Sequence, residues 1–358
     1  MKIALITDTH FGARNDSIVF QNYFEKFYNN IFFPYLEENN IKTCIHLGDI
    51  VDRRKYINFR TLNYFRKNFV EKLWKMGVDT HIIIGNHDVF YKNTNEINSM
   101  VELFSTSDGI KEPWIYEKPR EVQFEDSSIL MMPWINTTNY SSCIDAMKKS
   151  SSQIMMGHFE ISGFEMQRGL WCDGGMDSKI FDKFDMVMSG HFHHKSTNGN
   201  INYLGNPYEL FWSDYNDPRG FHIFDTKTRD LKFIQNPYKM FYKIYYNDSD
   251  KSYEDIKNND YSQYNGSFVK IIVTEKNNPY WFDVMLDELY KNNVVDISVV
   301  ENIDMEFEND DDVINEAEDT LTILSKYVES LNVKNNKKEL DNLLRSLYNE
   351  SLDYNLYS

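Results

Sequence analysis

Residues 43–52 read TCIHLGDIVD, an apolar run that meets a glycine, Gly48, and then a carboxylate, Asp49. Short apolar runs bounded by turn residues are typical of buried strands. The same order of apolar run, glycine and metal-capable side chain recurs at residues 84–88, 156–158 and 189–193. The first apolar run of the chain ends in Asp8-Thr9-His10, without the glycine.

These five strand ends predict a single polar rim. In open α/β sheets, ligands collect at the carboxyl ends of strands, so side chains that follow different strands can meet there. Glycine permits a sharp backbone turn at such a point. The alternation of apolar runs with amphipathic stretches indicates a layered α/β arrangement over residues 1–239. The predicted strands span residues 2–7, 43–47, 80–84, 129–132, 153–156 and 186–188, and the predicted helices span residues 17–38, 60–76 and 95–104.

The rim carries seven candidate metal ligands, and their types suggest the ion. They are Asp8, His10, Asp49, Asn86, His158, His191 and His193. Oxygen ligands suit hard cations and imidazole favours Mn, Fe or Zn, so we expect Mn(II), with Mg, Fe and Zn as alternatives. Seven ligands suit two ions about 3.5–4 Å apart that share one bridging carboxylate, for which Asp49 is the candidate. Two such ions activate water and neutralise phosphate charge, which predicts phosphoester hydrolysis.

Two further residues of the rim are candidates for catalysis. His87 adjoins Asn86, and we expect its ring to protonate the leaving oxygen or to stabilise the phosphate. Asp88 is expected to orient His87. The remaining histidines are interpreted as structural, because a single buried histidine is more often a structural residue than a ligand. These are His46, His81, His194 and His222.

Beyond residue 239 the pattern changes. Predicted strands at residues 268–274 and 294–300, with a predicted helix between them, indicate a small α+β domain over residues 240–308. Residues 309–358 are predicted to form an acidic linker and a helix-loop-helix, because apolar side chains recur there every three or four positions. Two interpretations stay open: these helices fold onto their own domain, or they bind a partner's coiled coil. The candidate partner contacts are Leu321, Leu324, Val328, Leu340, Leu344 and Leu347.

Composition limits the class of protein. The 358 residues carry a formal net charge of -17, which argues against a broad basic DNA-binding face but leaves room for local cationic clusters. Arg53, Arg54 and Lys55 form one such cluster, which either contacts DNA phosphates or lies on a solvated loop. The 3 cysteines are isolated and no apolar run reaches membrane-spanning length. We therefore expect a cytoplasmic protein without disulfides or membrane contact.

The motifs together resemble the five signature motifs of calcineurin-like metallophosphoesterases. The resemblance rests on Asp-x-His, Gly-Asp, Gly-Asn-His-Asp, Gly-His and Gly-His-x-His sequences between residues 8 and 193. Within that family, residues 86–88, residues 191–193 and the later Gly-Asn-Pro-Tyr at residues 205–208 resemble the SbcD nucleases. These include the nuclease subunit of tailed-phage recombination endonucleases. The chain departs from many of them at Asn206, where Ser is frequent.

This resemblance implies a fold and a division of the ligands. The fold would be a layered sandwich of two mixed sheets flanked by helices, with a small capping domain that embraces DNA. One ion would be held by Asp8, His10, Asp49 and His193. The other would be held by Asp49, Asn86, His158 and His191, with His87 as the general acid.

The resemblance also implies an activity and partners. The chain would be a Mn-dependent duplex exonuclease and single-strand endonuclease in recombination and double-strand-break repair. It would act as a homodimer on DNA, and its terminal helices would bind the coiled coil of an SbcC-type ATPase. A phage-encoded protein of this kind would work in the host cytoplasm. The alternatives are a free-standing metallophosphatase or cyclic-nucleotide phosphodiesterase, and a non-catalytic scaffold that keeps the fold alone.

Overall fold

The computed structural model describes residues 1–104, 113–167 and 170–301, together with the helical positions 340 and 344. Within these ranges the strands form two six-stranded sheets, one three-stranded sheet and a two-stranded ribbon. The strands are β1 (Lys2–Ile6), β2 (Thr43–His46), β3 (Asp79–Ile83), β4 (Trp114–Tyr116), β5 (Arg120–Phe124), β6 (Ser127–Met132), β7 (Ile154–His158), β8 (Glu165–Gln167), β9 (Leu170–Trp171), β10 (Met186–Gly190), β11 (Ser196–Asn198), β12 (Ile201–Tyr203), β13 (Gly220–Asp225), β14 (Leu231–Gln235), β15 (Phe241–Asn247), β16 (Phe268–Glu275) and β17 (Asp296–Val300).

The helices of the same ranges are short. The α-helices longer than four residues are Ile18–Phe27, Phe33–Glu38, Phe59–Tyr64, Glu71–Lys75, Ser99–Phe104, Tyr140–Lys149, Tyr253–Lys257 and Pro279–Lys291. The π-helical segments Tyr28–Phe32 and Phe65–Val70 join the first four of these into two longer helices. There are also 3₁₀ turns at Ser178–Phe181, Trp212–Asp214 and Ser262–Tyr264.

Both large sheets are mixed. In the first, the order is β14-β13-β1-β2-β3-β4. Strands β1 to β4 are parallel, β13 is antiparallel to β1, and β14 is antiparallel to β13. In the second, the order is β11-β12-β10-β7-β6-β5, with the four central strands parallel and both outer strands antiparallel. Parallel strands place their carboxyl ends at one edge of a sheet, so each sheet brings its candidate ligands to one edge.

The apolar side chains divide the fold into layers. In β1, Ile3 and Leu5 lie in the cluster between the two sheets, whereas Ala4 and Ile6 lie in the cluster under the helices. Side chains of a strand alternate between its faces, so both faces of β1 are buried. The second sheet repeats this pattern, because Met131 faces the first sheet while Met132 packs under its own helices. The predicted sandwich of two mixed sheets flanked by helices is confirmed.

The sequence located the parallel strands well but missed others. The predicted strands near ligands agree with β1, β2, β3, β6, β7 and β10 to within one or two residues. The antiparallel strands β13 and β14 were not predicted. The helix predicted from residue 95 begins instead at Ser99, because the Asn98 side chain accepts the Val101 N–H at 2.9 Å and caps the helix there.

The third sheet, β15-β16-β17, is parallel and carries the helices Tyr253–Lys257 and Pro279–Lys291. The strands β16 and β17 and the second helix occur where the sequence predicted them, but β15 does not alternate cleanly and was missed. Phe241 and Phe268 at its base pack on Phe20 of the first large core. The domain boundaries at residues 239 and 308 stay predictions. None of the helices in the described part of the chain is long and apolar enough to cross a membrane.

Candidate metal centre

The ends of five strands converge around the Asp49 carboxylate. The residues that follow β1, β2 and β3 meet the end of β7 and the turn after β10. The Oδ2 atom of Asp49 lies 3.3 Å from His158 Nε2 and 3.9 Å from His10 Nε2. Asp49 therefore stands between two imidazoles that come from different sheets.

Candidate ligand atoms cluster on both sides of Asp49. Three groups have all their ligand atoms within 4.8 Å of one another: Asp8, His10 and His193; His10, Asp49 and His87; and Asp49, His158 and His191. Asn86 joins the last group, since its Oδ1 lies 2.9 Å from His158 Nε2. The structure thus brings all seven predicted ligands into one centre. His87 also lies within ligand range, which the sequence did not predict.

The imidazoles of the centre differ in their affinity for a proton. The Leu47 carbonyl oxygen lies 2.8 Å from His158 Nδ1, so Nδ1–H donates to it and Nε2 faces Asp49. Burial lowers the pKa of His191 to about 3 and that of His193 to about 4. Burial also lowers the pKa of His158, but Asp49 and Asp8 outweigh burial and raise it to about 9. A cation bound beside Asp49 would take the place of the proton that these carboxylates attract to His158.

The buried carboxylates of Asp8 and Asp49 require nearby positive charge to stay ionised. Burial raises the pKa of Asp8 to about 7, although His158 opposes this. Burial also raises the pKa of Asp49, but His158 and His87 outweigh it and hold that pKa well below its usual range. Asp8 is fixed by the Thr7 hydroxyl at 2.7 Å and the His191 N–H at 3.1 Å. A donor set of buried carboxylates, one amide and neutral imidazoles fits two divalent cations.

The backbone is strained at four of the candidate ligands. Asp8, His10, Asp49 and His191 have φ angles of 51°, 42°, 55° and 89°. Such angles cost non-glycine residues of the order of 1–3 kcal/mol each and persist only where the surroundings enforce them. Strain of this kind concentrates at functional sites, and here it coincides with the convergence on Asp49.

The glycines before the ligands serve mainly for close approach. Gly48 has the positive φ, 99°, that a sharp turn needs. A Cβ atom on Gly85 would lie 2.3 Å from Asp49 N, and one on Gly190 would lie 2.0 Å from the Thr7 hydroxyl oxygen. The strand ends therefore approach one another more closely than side chains would allow. The sequence analysis predicted turns at these glycines but not this close approach.

The surroundings of His87 differ from the prediction for Asp88. The His87 Nδ1 atom lies 2.6 Å from the Asp52 carbonyl oxygen, which therefore orients the ring. The Asp88 carboxylate instead accepts backbone N–H groups of Asp49 and Gly85 at 2.9 Å and of residues 50 and 51 at 2.9 and 3.3 Å. The expectation that Asp88 orients His87 is wrong, because both Asp88 oxygens are used to hold the loop that carries Asp49.

Two neighbours of the centre escaped the sequence interpretation. Glu160 Oε2 lies 3.8 Å from His191 Nε2, and the Trp134 ring lies 5.2 Å from the His191 ring and 6.0 Å from the His158 ring. Trp134 thus lies against both imidazole rings. Neither residue belongs to a repeated strand-end pattern. The only local sequence feature that could have indicated Glu160 is its position two residues after His158.

The other histidines have partners outside these groups. His46 lies 3.0 Å from the Thr9 hydroxyl, His81 lies 2.7 Å from the Tyr116 hydroxyl and His194 lies 2.9 Å from Asp217. The ring of His222 lies 5.0 Å from the ring of Phe233. These contacts agree with the structural interpretation of the four residues.

The predicted DNA-binding cluster lies on the loop after Asp52. Arg53 is paired with Asp16 at 2.9 Å and lies over the Tyr56 ring at 5.0 Å, Arg54 is half-buried and Lys55 is exposed. Of the predicted partner contacts, Leu340 and Leu344 are half-buried helical positions. The other four, Leu321, Leu324, Val328 and Leu347, lie outside the described residues.

The fold and this centre define a metallophosphoesterase, and the chain belongs to the calcineurin-like phosphoesterase family, whose family model matches residues 1–219. Exonuclease subunit 1 of Enterobacteria phage T4 is 31% identical over 339 residues, 92% of this chain and 93% of the phage protein. The SbcD subunit of the SbcCD nuclease from Staphylococcus saprophyticus is 30% identical over 94 residues, 24% of this chain and 25% of that protein.

Two solved structures show a weak similarity to this chain. A novel archaeal phosphodiesterase is 14% identical, with a TM-score of 0.31, and covers 66% of this chain and 100% of its own. A dimetal phosphatase from Danio rerio is 10% identical, with a TM-score of 0.31, and covers 62% of this chain and 91% of its own. At this level of similarity neither supports a conclusion about function.

Replacing Asp88 by Asn tests its role in holding the Asp49 loop. An amide can accept on one side only, and its amino group would face two of the four backbone donors. We expect the free energy of unfolding in urea to fall by at least about 2 kcal/mol. Mn(II) affinity should fall with it, since the strained loop loses its support. The exposed Asp145→Asn on the helix Tyr140–Lys149 should change stability by less than about 0.5 kcal/mol. Equal effects in the two variants would contradict this role.

Proposed function

We propose that the chain is the nuclease subunit of a DNA-processing complex of the SbcC/SbcD type. The observation that carries this proposal is the convergence of two ligand groups on Asp49 with His87 beside them. The similarity to exonuclease subunit 1 of phage T4 extends over nearly the whole chain and favours a nucleic-acid substrate over a small phosphomonoester. Mn(II) suits the mixed ligand set best, and Mg, Fe and Zn are the alternatives.

The ligands are proposed to divide around Asp49 as the bridge. Asp8, His10 and His193 would hold one ion with it. Asn86, His158 and His191 would hold the other. Two bound ions supply an activated water and neutralise the charge on the phosphodiester.

His87 is proposed to act on the leaving oxygen. Its Nδ1–H donates to the Asp52 carbonyl oxygen, which fixes the ring, so the imidazolium form would deliver its second proton from Nε2 and be left as the neutral Nδ1–H tautomer. The ring also stands edge-on against His10, with ring centroids 4.9 Å apart, which restricts its rotation. His87 would thereby protonate the 3′ or 5′ oxygen that leaves the phosphate.

DNA contacts are proposed to come from local cations, because the net charge of -17 repels phosphate overall. Arg53, Arg54 and Lys55 follow the Asp49 loop directly and would meet the backbone of a strand that enters the centre. Arg53 would share its guanidinium between a phosphate and Asp16. The third sheet is proposed to extend this surface along the DNA.

The activity test compares two histidine variants on end-labelled duplex and single-stranded DNA, with Mn(II), Mg(II) or chelator. His87→Gln should lower turnover by about 10²- to 10⁴-fold while the number of bound Mn(II) ions stays the same, since an acid and not a ligand is removed. His222→Gln, which alters a histidine away from the centre, should cleave like the wild type.

Two results would count against the proposal. Turnover of a phosphomonoester with DNA left intact, even with an SbcC-type ATPase added, would assign the centre to a phosphatase. Loss of a bound Mn(II) ion in His87→Gln would make His87 a ligand.

The partner is proposed to bind the terminal segment. The relative from phage T4 is named as a subunit, and residues 313–358 carry the predicted helix-loop-helix. Deletion of these residues should abolish co-purification with an SbcC-type ATPase, because the apolar stripes of both helices are removed. Mn(II) binding should persist in the deleted chain, and full-length His87→Gln should still co-purify. Unchanged co-purification after the deletion would refute the partner site.

A further inference from the structure

The backbone carbonyl of His193 accepts two hydrogen bonds and lies close to the backbone of Gly205. The Asn206 N–H donates to it at 3.3 Å, and the Arg219 guanidinium donates to it through Nη1. Gly205, at a φ of 71°, lies so close that a Cβ atom there would be 2.8 Å from the same oxygen. His193 is thus fixed through its main chain, although it lies in a turn beyond the end of β10.

Arg219 is itself immobilised. Its side chain is 4% exposed, and Nη2 bonds Asp214 at 3.0 Å and Asp217 at 2.7 Å. Its Nη1 also bonds the Asn206 side-chain oxygen. A buried guanidinium between two carboxylates has one orientation, because its planar fork matches their oxygens. The carbonyl of His193 is therefore held by a group that cannot rotate away.

The same network reaches the His193 ring. Asp214 uses its second oxygen to accept the backbone N–H groups of Leu210 at 2.7 Å and Phe211 at 3.0 Å. The Phe211 ring then stacks on the His193 ring, at 6.2 Å between centroids and 18° between planes. One buried cluster therefore positions both the main chain and the ring of His193. It consists of Asn206, Asp214, Asp217 and Arg219.

The position so fixed is that of a candidate ligand. His193 Nε2 lies 3.2 Å from His10 Nε2, which places both nitrogens around one point together with Asp8. In the other group, His158 is oriented separately, by the Leu47 carbonyl oxygen. Within the described residues, the contacts of the buried cluster therefore reach the His10–His193 side of the centre.

We propose that Arg219 is a positioning residue that sets the affinity of the His10–His193 side of the centre for its ion. This inference rests on the proposed two-ion site. Groups that orient a metal ligand from behind affect metal affinity by about 10- to 100-fold. Lysine cannot replace Arg219 fully, since a single ammonium cannot bind two carboxylates and a carbonyl in the same geometry.

The test is a Mn(II) titration followed by electron paramagnetic resonance and calorimetry, which count bound ions without requiring turnover. In Arg219→Met, one of two ions should bind about 10- to 100-fold more weakly, and the other should bind as in the wild type. In Arg219→Lys, the affinity for the weakened ion should lie between that of the wild type and that of Arg219→Met. Arg229→Met removes an exposed arginine that pairs with Asp185, and it should bind both ions normally.

Leu36→Ala is the control for a general loss of stability. It creates a cavity in the buried core under the first sheet, away from the centre. That variant should unfold at lower urea concentration and still bind both ions with unchanged affinity. Two normally bound ions in Arg219→Met and Arg219→Lys would overturn the role of Arg219 and leave the proposed function intact. Equal weakening of both ions in Arg219→Lys would also overturn it. A wild-type chain that binds fewer than two ions would overturn the proposed function as well.

Discussion

The structure depends on one electrostatic constraint, the burial of Asp49 and Asp8 among five imidazoles and an amide. Two carboxylates cannot be removed from water without compensation, because desolvation of each costs several kcal/mol or more. Protonated imidazoles compensate in part, as the raised pKa of His158 indicates. Two divalent cations held by these side chains would supply the remaining positive charge and would bind the imidazoles in their neutral form. The strained φ angles of the ligands and the close crossing of strand ends follow from the need to bring these groups together.

The segment from Gly205 to Arg219 connects this constraint with the rest of the chain. On one side, Asn206 and Arg219 hold the His193 carbonyl. On the other, the Glu209 carboxylate accepts the N–H groups of Met240 at 2.6 Å and Phe241 at 2.9 Å, where the third sheet begins. Burial raises the pKa of Glu209 to about 7, and these two backbone donors oppose that rise. One stretch of chain thus supports both a candidate ligand and the attachment of the third sheet.

The centre could be predicted from sequence to the extent that its signals are local. Each strand end places its candidate ligand within a few residues of an apolar run, so the sequence alone predicts the seven candidate ligands. Arg219 was not found, because it acts on His193 across 26 positions and no periodic pattern marks it. The role of Asp88 was misjudged for the same reason. Its position beside His87 suggested a contact, whereas its oxygens bind backbone 37–39 positions away. Strand β15 was missed because its burial depends on packing from other elements.

The central claim is that Asp49 bridges two ions, and diffraction from crystals grown with Mn(II) tests it most directly. At a wavelength where manganese scatters anomalously, the difference map should contain two peaks about 3.5–4 Å apart with the Asp49 carboxylate between them. One peak should lie against His10 and His193, and the other against His158 and His191. A single peak, or two peaks that do not share Asp49, would contradict the account.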